Sequence, residues 1–160
     1  MGLVIVPGYG YPEEICRLFT RYTDTLVEGD PEFRRYLDKQ NYQQEVQHLE
    51  EKYGKPHGRL YLALWDDIPV GCVGLRRLDD RNCEMKRLYV CPEFQGKGIG
   101  KQLAQRVIRD AREIGYEGMM LDTLPFLKQA IGMYRDMGFY EIPSYNNSPM
   151  ENLVYLKLDL

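Results

Sequence analysis

Three glycines at alternating positions stand between a predicted strand and a predicted helix, in the hexapeptide Gln95-Gly96-Lys97-Gly98-Ile99-Gly100. Glycine has no Cβ atom, so a ligand can approach its backbone closely. The first amides of a helix have no intrahelical acceptor, and the helix dipole adds partial positive charge there. Lys97 and Lys101 add two formal charges beside these amides. We therefore predict an anion site for the pyrophosphate of a cofactor.

A tight turn without a ligand is the alternative, and two other phosphate-binding motifs also use glycine. A plain turn does not require three alternating glycines, and glycine costs a helix about 1 kcal/mol at each position. A P-loop would need Ser or Thr at Gln102 and glycine at Gln95. The dinucleotide fingerprint would need its third glycine at Lys101. Both of these motifs therefore fail on spacing.

The composition predicts a globular enzyme or binding protein and argues against several other classes. The 160 residues suggest a single domain, 1–160. Acidic and basic residues are interspersed along the chain and give a net charge of only −3, so neither nucleic acid nor a membrane is an expected partner. The N-terminal apolar run is too short for a secretory leader, and we expect a cytoplasmic location. The four cysteines form no C-x-x-C pair and the two histidines stand apart, so no metal is expected.

Hydrophobic periodicity predicts an α+β fold with a central mixed, mostly antiparallel sheet of about seven strands and about four flanking helices. One β-α-β unit implies a parallel strand pair through a right-handed crossover. The predicted strands are 3–6, 59–65, 70–78, 83–91, 118–124, 139–142 and 153–158. The predicted helices are 12–29, 31–53, 98–114 and 126–137.

A second motif lies downstream, where Ala130, Tyr134 and Gly138-Phe139 follow the pattern A-x-x-x-Y-x-x-x-G-F. The hexapeptide Gln95–Gly100 matches Q/R-x-x-G-x-G/A at the corresponding distance upstream. With both motifs, the chain resembles the GCN5-related N-acetyltransferase (GNAT) superfamily in detail over roughly residues 70–140, and the order of elements suits that fold. The resemblance implies an N-acetyltransferase with acetyl-CoA as its co-substrate.

The resemblance also implies which residues contact the cofactor. Many family members carry Asn three residues before the alanine of the second motif, where it contacts the cofactor. Leu127 stands at that position here, and Lys128 or Gln129 is the expected substitute. The implied cofactor-binding residues are Leu88, Tyr89, Val90, Gln95, Gly96, Lys97, Gly98, Ile99, Gly100, Lys101 and Gln129.

Two catalytic residues, Tyr134 and Glu84, follow from the same resemblance. The tyrosine of the second motif protonates the leaving thiolate in the family, and a phenol with a pKa of ~10 can donate at neutral pH. A packing aromatic is the alternative for Tyr134. Glu84 is the candidate base, because strand alternation places it on one face with Leu88 and Val90. A water chain, with Glu84 merely solvated or salt-bridged, is equally open. The oxyanion donor is expected to be a backbone amide of the strand that ends at Val90.

The acceptor is expected between the N-terminal helices and the loop that joins the last strands, near Arg34, Arg35 and Tyr36 and near Ser144-Tyr145-Asn146-Asn147. Arginines can bind a carboxylate bidentately. A solvated helix face is the simpler interpretation of the two arginines, and a plain turn is the simpler interpretation of the loop.

We expect the acceptor to be the amine of a small metabolite, amino acid-like or polyamine-like, or a peptide N-terminus. A non-catalytic acyl-CoA-binding sensor on the same fold is the alternative. A subunit whose main role is to form a homodimer is the third hypothesis.

Overall fold

A seven-stranded sheet organises the protein, and a computed structural model describes residues 2–160. Its strands are β1 (Leu3–Pro7), β2 (Arg59–Trp65), β3 (Ile68–Arg77), β4 (Asn82–Val90), β5 (Gly118–Thr123), β6 (Tyr140–Glu141) and β7 (Val154–Asp159). They are arranged in the order β1-β2-β3-β4-β5-β7-β6. Only β4 and β5 are parallel neighbours, and the other pairs are antiparallel. The predicted mixed, mostly antiparallel sheet is confirmed.

The described chain forms six α-helices rather than about four. They are α1 (Pro12–Gly29), α2 (Phe33–Lys39), α3 (Tyr42–Gln47), α4 (Leu49–Tyr53), α5 (Ile99–Ile114) and α6 (Lys128–Asp136). The segment predicted as one helix is divided at Asn41, which has a φ of +56°, and at His48, which has non-helical torsions. The three short helices bury apolar side chains in one common cluster, so the helical periodicity continues across the breaks.

Two hydrophobic layers cover the sheet, one on each face. On the first face, α5 buries a stripe that includes Ile99, Leu103 and Val107. On the second, α1 to α4 bury a separate cluster around Phe19 and Tyr53. We call these the α5 face and the α1 face of the sheet. Side chains that point from a strand in opposite directions therefore meet different helices.

Candidate active site

The sheet opens between its two parallel strands. Strands β4 and β5 pair only from Asn82 to Glu84, opposite Gly118 to Met120, and β5 continues along β7 instead. The amide of Cys91 donates to the Val70 carbonyl on β3 at 2.8 Å. Since successive amides of a strand point in opposite directions, the Val90 amide points away from β3 into this opening. We call the opening the wedge, and its β4 edge offers unpaired backbone groups to a ligand.

A β-bulge at Arg87 reverses the side-chain alternation of β4. Cys72 lies opposite Tyr89 and Gly74 opposite Lys86, so β4 carries one residue more than β3 between these pairs. Arg87 has a φ of +59°. The prediction that Glu84 shares a face with Leu88 and Val90 is therefore wrong. Leu88 and Val90 pack on the cluster of the α5 face, whereas Glu84 hydrogen-bonds a tyrosine of the other layer.

Buried ion pairs hold the bulge in place. Arg87 donates from Nε to Oε2 of Glu45 and from Nη2 to Oε1, each at 2.9 Å. Lys52 and the Tyr53 hydroxyl also donate to Glu45, at 2.6 and 2.8 Å. Burial alone would raise the pKa of Glu45, but the charges and hydrogen bonds of Arg87 and Lys52 hold it well below its usual range. Helix α3 thus fixes the conformation of β4 where its side chains change direction.

The glycine loop presents six consecutive backbone amides, from Gly96 to Lys101, that have no protein acceptor within residues 2–160. Gly96 and Gly98 have φ of +84° and +78°, and a Cβ atom at either would meet no protein atom within 4 Å. The Gln95 side chain ties the loop to β4 by donating to the Val90 carbonyl at 3.1 Å. The open space in front of these amides fits an anionic ligand.

A cavity of about 510 Å³ connects this loop to the wedge. It runs between α5 and α6 and is lined by ten of the eleven residues predicted to bind the cofactor. The exception is Lys97, whose ammonium lies 5.0 Å from the centre of the Trp65 ring. Leu127, which stands where Asn was expected, lines the cavity beside Lys128 and Gln129. We call it the donor cavity.

Tyr134 lies at the inner end of the donor cavity. Its ring is buried and packs on Phe139, with 5.5 Å between centroids. Its hydroxyl has no hydrogen-bond partner in the part of the chain that the structure describes, and the residue lines a second, narrow cavity as well. Burial, and to a smaller extent Tyr22, raises the pKa of this hydroxyl. The group is therefore a proton donor with a free position at the wedge.

Glu84 is engaged in ion pairs and a hydrogen bond on the α1 face. Its Oε1 accepts from Nε of Arg76 at 2.8 Å and lies 3.8 Å from Nζ of Lys86. Its Oε2 accepts from the Tyr145 hydroxyl at 2.5 Å. Burial alone would raise the pKa of Glu84, but Lys86, Arg76 and Tyr145 together lower it to about 2. Both carboxylate oxygens are therefore occupied, and the carboxylate binds a proton weakly.

Asp122 on β5 is a site residue that the sequence analysis missed. It lines the narrow cavity together with Tyr134, and its Oδ2 accepts from the Tyr36 hydroxyl and, at 2.9 Å, from Nδ2 of Asn146. Its Oδ1 has no hydrogen bond to any of residues 2–160. An acidic residue within the otherwise mostly apolar segment Gly118–Thr123 is the sequence feature that could have identified Asp122.

The residues predicted to surround the acceptor are only partly brought together. Tyr36 and Asn146 meet at Asp122, as α2 and the loop between β6 and β7 were expected to do. Arg34 and Arg35 are exposed and lie outside the cavities found among the described residues. Tyr145 instead contacts Glu84.

Three cavities lie side by side along the wedge and share lining residues. The narrow cavity, of about 30 Å³, shares Leu88, Thr123 and Tyr134 with the donor cavity. It shares Gln40 and Lys86 with a wider cavity of about 850 Å³ on the α1 face, which we call the acceptor cavity. The narrow cavity beside Tyr134 therefore separates two larger cavities on opposite faces of the sheet.

Two further searches bear on the type of site. No group of three or more His, Cys, Asp and Glu side chains is placed to hold a metal ion within residues 2–160. None of the helices described is both long and apolar enough to cross a bilayer.

Comparisons with known proteins agree with this geometry. Residues 16–139 match the model of the acetyltransferase (GNAT) family. An uncharacterized N-acetyltransferase of Schizosaccharomyces pombe is 37% identical over 131 residues, which cover 81% of this chain and 80% of that protein. A GNAT-family acetyltransferase structure from Staphylococcus aureus superposes with a TM-score of 0.76 at 24% identity over 98% of both chains. The PaiA N-acetyltransferase of Thermoplasma acidophilum, solved with coenzyme A, gives a TM-score of 0.73 at 16% identity over the full length of both.

Proposed function

Because the chain belongs to the acetyltransferase (GNAT) family, we propose that it moves acetyl directly from acetyl-CoA to the amine of a small metabolite. The observation that carries this proposal is the row of six unpartnered amides at the mouth of a cavity that ends at the Tyr134 hydroxyl. The amides offer an anion site, and the hydroxyl offers a proton at the far end.

The residues present fit coenzyme A. The amides from Gly96 to Lys101 would hold the pyrophosphate, and the free β4 edge at Leu88 and Val90 would pair with the amide groups of pantetheine. Gln129 would replace the usual Asn at the start of α6. When bound, the co-substrate supplies an activated acetyl thioester.

Tyr134 is the general acid in this proposal. The thiolate leaving group needs a proton, and the Tyr134 hydroxyl keeps its own at neutral pH because burial raises its pKa. A backbone amide of the free β4 edge that pantetheine does not use would stabilise the charge that develops on the carbonyl oxygen. Both groups lie on rigid elements, so neither has to move to act.

Glu84 is a poor general base, and in this proposal a water relays the proton of the amine to solvent instead. A base is most effective when its pKa lies near the operating pH, and the pKa of Glu84 is lowered to about 2. Glu84 is therefore a positioning residue in the proposal, and it orients Tyr145. Asp122 is the carboxylate next to Tyr134 in the narrow cavity, and its free Oδ1 would receive the ammonium of the acceptor. The narrow cavity is large enough for about one water, which would carry the proton away.

Release of free thiol from acetyl-CoA, measured with a panel of small amines and peptides, tests the proposal. We expect a subset of small amines to accelerate release well above hydrolysis. Tyr134→Phe should lower kcat by a factor of about 100 or more and leave the affinity for coenzyme A within twofold. The proposal is wrong if no amine accelerates release. The acid role of Tyr134 is wrong if Tyr134→Phe leaves kcat unchanged.

A further inference from the structure

We propose that the acceptor amine carries a compact oxyanion, a carboxylate or a phosphate, and that Lys86 binds it in the acceptor cavity. The inference rests on the transferase function proposed above, since it names the acceptor class of the same site. The underlying finding is an ammonium that faces two cavities and for which the described protein supplies no hydrogen-bond acceptor.

The side chain of Lys86 is mostly enclosed but poorly paired. Only 8% of its side chain is exposed, and its one ion-pair contact is Oε1 of Glu84 at 3.8 Å, beyond hydrogen-bond distance. That carboxylate is already bound by Arg76 and Tyr145 at 2.8 and 2.5 Å. An ammonium has three donors, and none of those on Lys86 finds an acceptor within residues 2–160. All three donors are therefore free to bind a ligand in the cavity, and an ionised acceptor gives the stronger, charge-assisted hydrogen bonds.

The surroundings of Lys86 carry excess positive charge. Three cations that line the acceptor cavity, together with a fourth that lines the narrow cavity, pair with only two carboxylates. The cations are Lys52, Arg76, Lys86 and Arg87, and the carboxylates are Glu45 and Glu84. Burial and then the charge of Lys86 lower the pKa of Lys52 to about 7, although Glu45 opposes them. This positive region lies in a chain whose net charge is −3, so it is a local feature.

The position of Lys86 suits a substrate with opposite charges at its two ends. Lys86 lines both the acceptor cavity and the narrow cavity, and Asp122 lines the narrow cavity beside Tyr134. An amine directed toward Asp122 would leave an oxyanion on the same small molecule near Lys86. Amino acids and amino-phosphates have this arrangement. A polyamine would place a second cation against four cations, so the inference selects the amino acid-like acceptor over the polyamine-like one.

Matched acceptor pairs test the charge requirement. Each α-amino acid is compared with its own carboxamide, and phosphoethanolamine with ethanolamine, by thiol release. The values of kcat/KM are expressed per concentration of free amine, because the carboxamide lowers the pKa of the neighbouring amine. In at least one pair we expect kcat/KM to be at least tenfold higher for the anionic member than for its uncharged analogue. The pair that shows this preference tells whether the bound group is a carboxylate or a phosphate. Equal kcat/KM values within every pair would overturn the inference while leaving the transferase intact.

Charge variants test the residue. Lys86→Met should lower kcat/KM for the preferred acid about 10- to 100-fold and lower it much less for the uncharged analogue, since a charge-assisted hydrogen bond is lost only with the acid. Lys86→Arg should restore part of the loss. Lys157→Met on β7 is the matched control, because Lys157 lines none of the three cavities. An acid preference that persists in Lys86→Met would overturn the assignment.

Direct binding separates this inference from the proposed function. If no amine accelerates thiol release, the transferase proposal fails, and titration calorimetry of inorganic phosphate and acetate then decides the anion site. The protein is saturated with coenzyme A first, so that the glycine loop is occupied. Weaker binding of either anion to Lys86→Met than to the wild type supports the site. Equal binding to both proteins, or no binding to the wild type, contradicts it.

Discussion

The Tyr145 hydroxyl donates a 2.5 Å hydrogen bond to Oε2 of Glu84, and this contact joins the loop between β6 and β7 to strand β4. The loop also reaches α2 and β5, because Asn146 bonds the Tyr36 hydroxyl and Asp122. One wall of the acceptor cavity is therefore positioned by a few polar side chains rather than by regular secondary structure.

Tyr145→Phe should loosen this loop. We expect KM for the amine to rise about threefold to tenfold, while the affinity for coenzyme A stays the same, because the donor cavity does not include Tyr145. Steady-state kinetics and calorimetry with coenzyme A measure the two effects. Tyr140→Phe is the matched control, since its exposed hydroxyl bonds Asp159 far from the site. A parallel loss of coenzyme A affinity would show that the loop does not act on the acceptor alone.

Gly98→Ala should weaken cofactor binding more than it weakens the fold. Gly98 has a φ of +78°, where an L-residue costs roughly 1–2 kcal/mol, but its Cβ would touch no protein atom. We expect unfolding free energy to fall by about 1 kcal/mol and coenzyme A affinity to fall further, because a methyl group would enter the space in front of the loop amides. Urea unfolding and calorimetry separate the two.

Gly132→Ala, whose Cβ is also unobstructed, is the control for the loop substitution. Gly132 lies within α6 at an ordinary φ, so alanine should stabilise the helix by about 0.5–1 kcal/mol and leave binding unchanged. If Gly98→Ala binds coenzyme A as tightly as Gly132→Ala does, the loop does not approach the ligand closely.

Glu45→Gln should destabilise the protein strongly. It leaves Arg87 buried without its charge partner, and breaking a buried pair from one side costs about 3–5 kcal/mol. Urea unfolding at neutral pH measures the loss. Glu93→Gln is the comparison, because its pair with Arg21 is exposed and should contribute less than about 1 kcal/mol. Similar losses in the two variants would contradict a structural role for the buried pair.

The same carboxylate gives the wild-type protein a defined acid sensitivity. Burial opposes ionisation, but Arg87 and Lys52 lower the pKa of Glu45 in the fold, so its stabilising contribution is complete above the unfolded pKa of about 4.3. That contribution is lost as the pH falls from there toward the lower folded pKa. Between pH 5 and pH 3 the unfolding free energy of the wild type should therefore fall more steeply than that of Glu45→Gln.

Glu84→Gln distinguishes a positioning role from a base. With a pKa of about 2 and both oxygens engaged, Glu84 should not titrate near neutral pH. We expect kcat to fall less than tenfold, with the acidic limb of the pH–rate profile unchanged. Asp122→Asn should give the larger loss in kcat/KM. A loss of about 100-fold in Glu84→Gln, together with disappearance of the acidic limb, would make Glu84 the base after all.

The sequence predicted the donor side better than the acceptor side. The loop at Gly96–Gly100 and the helix with Tyr134 are encoded in contiguous residues, so their patterns can be recognised without knowing the packing. The bulge at Arg87 depends on the register between β3 and β4, which no local pattern contains, and it turned Glu84 to the face opposite Leu88.

The acceptor-side polar groups come from separate parts of the chain. Tyr36, Asp122 and Asn146 are brought together only by the tertiary fold. Arg34 and Arg35 were more conspicuous in the sequence than Tyr36, but both are exposed in the fold. Charge alone therefore favoured Arg34 and Arg35, whereas Tyr36 is the residue of α2 that contacts Asp122.

The extra residue at Arg87 gives one strand two separate recognition surfaces. Leu88 and Val90 line the donor cavity, while Glu84 and Lys86 line the acceptor cavity. Replacing Glu84 or Lys86 therefore leaves the lining of the donor cavity unchanged. If the two cavities bind the acceptor and the co-substrate as proposed, acceptor preference can diverge between descendants of this protein by exchanges at Glu84 and Lys86 while the donor side of the same strand is conserved.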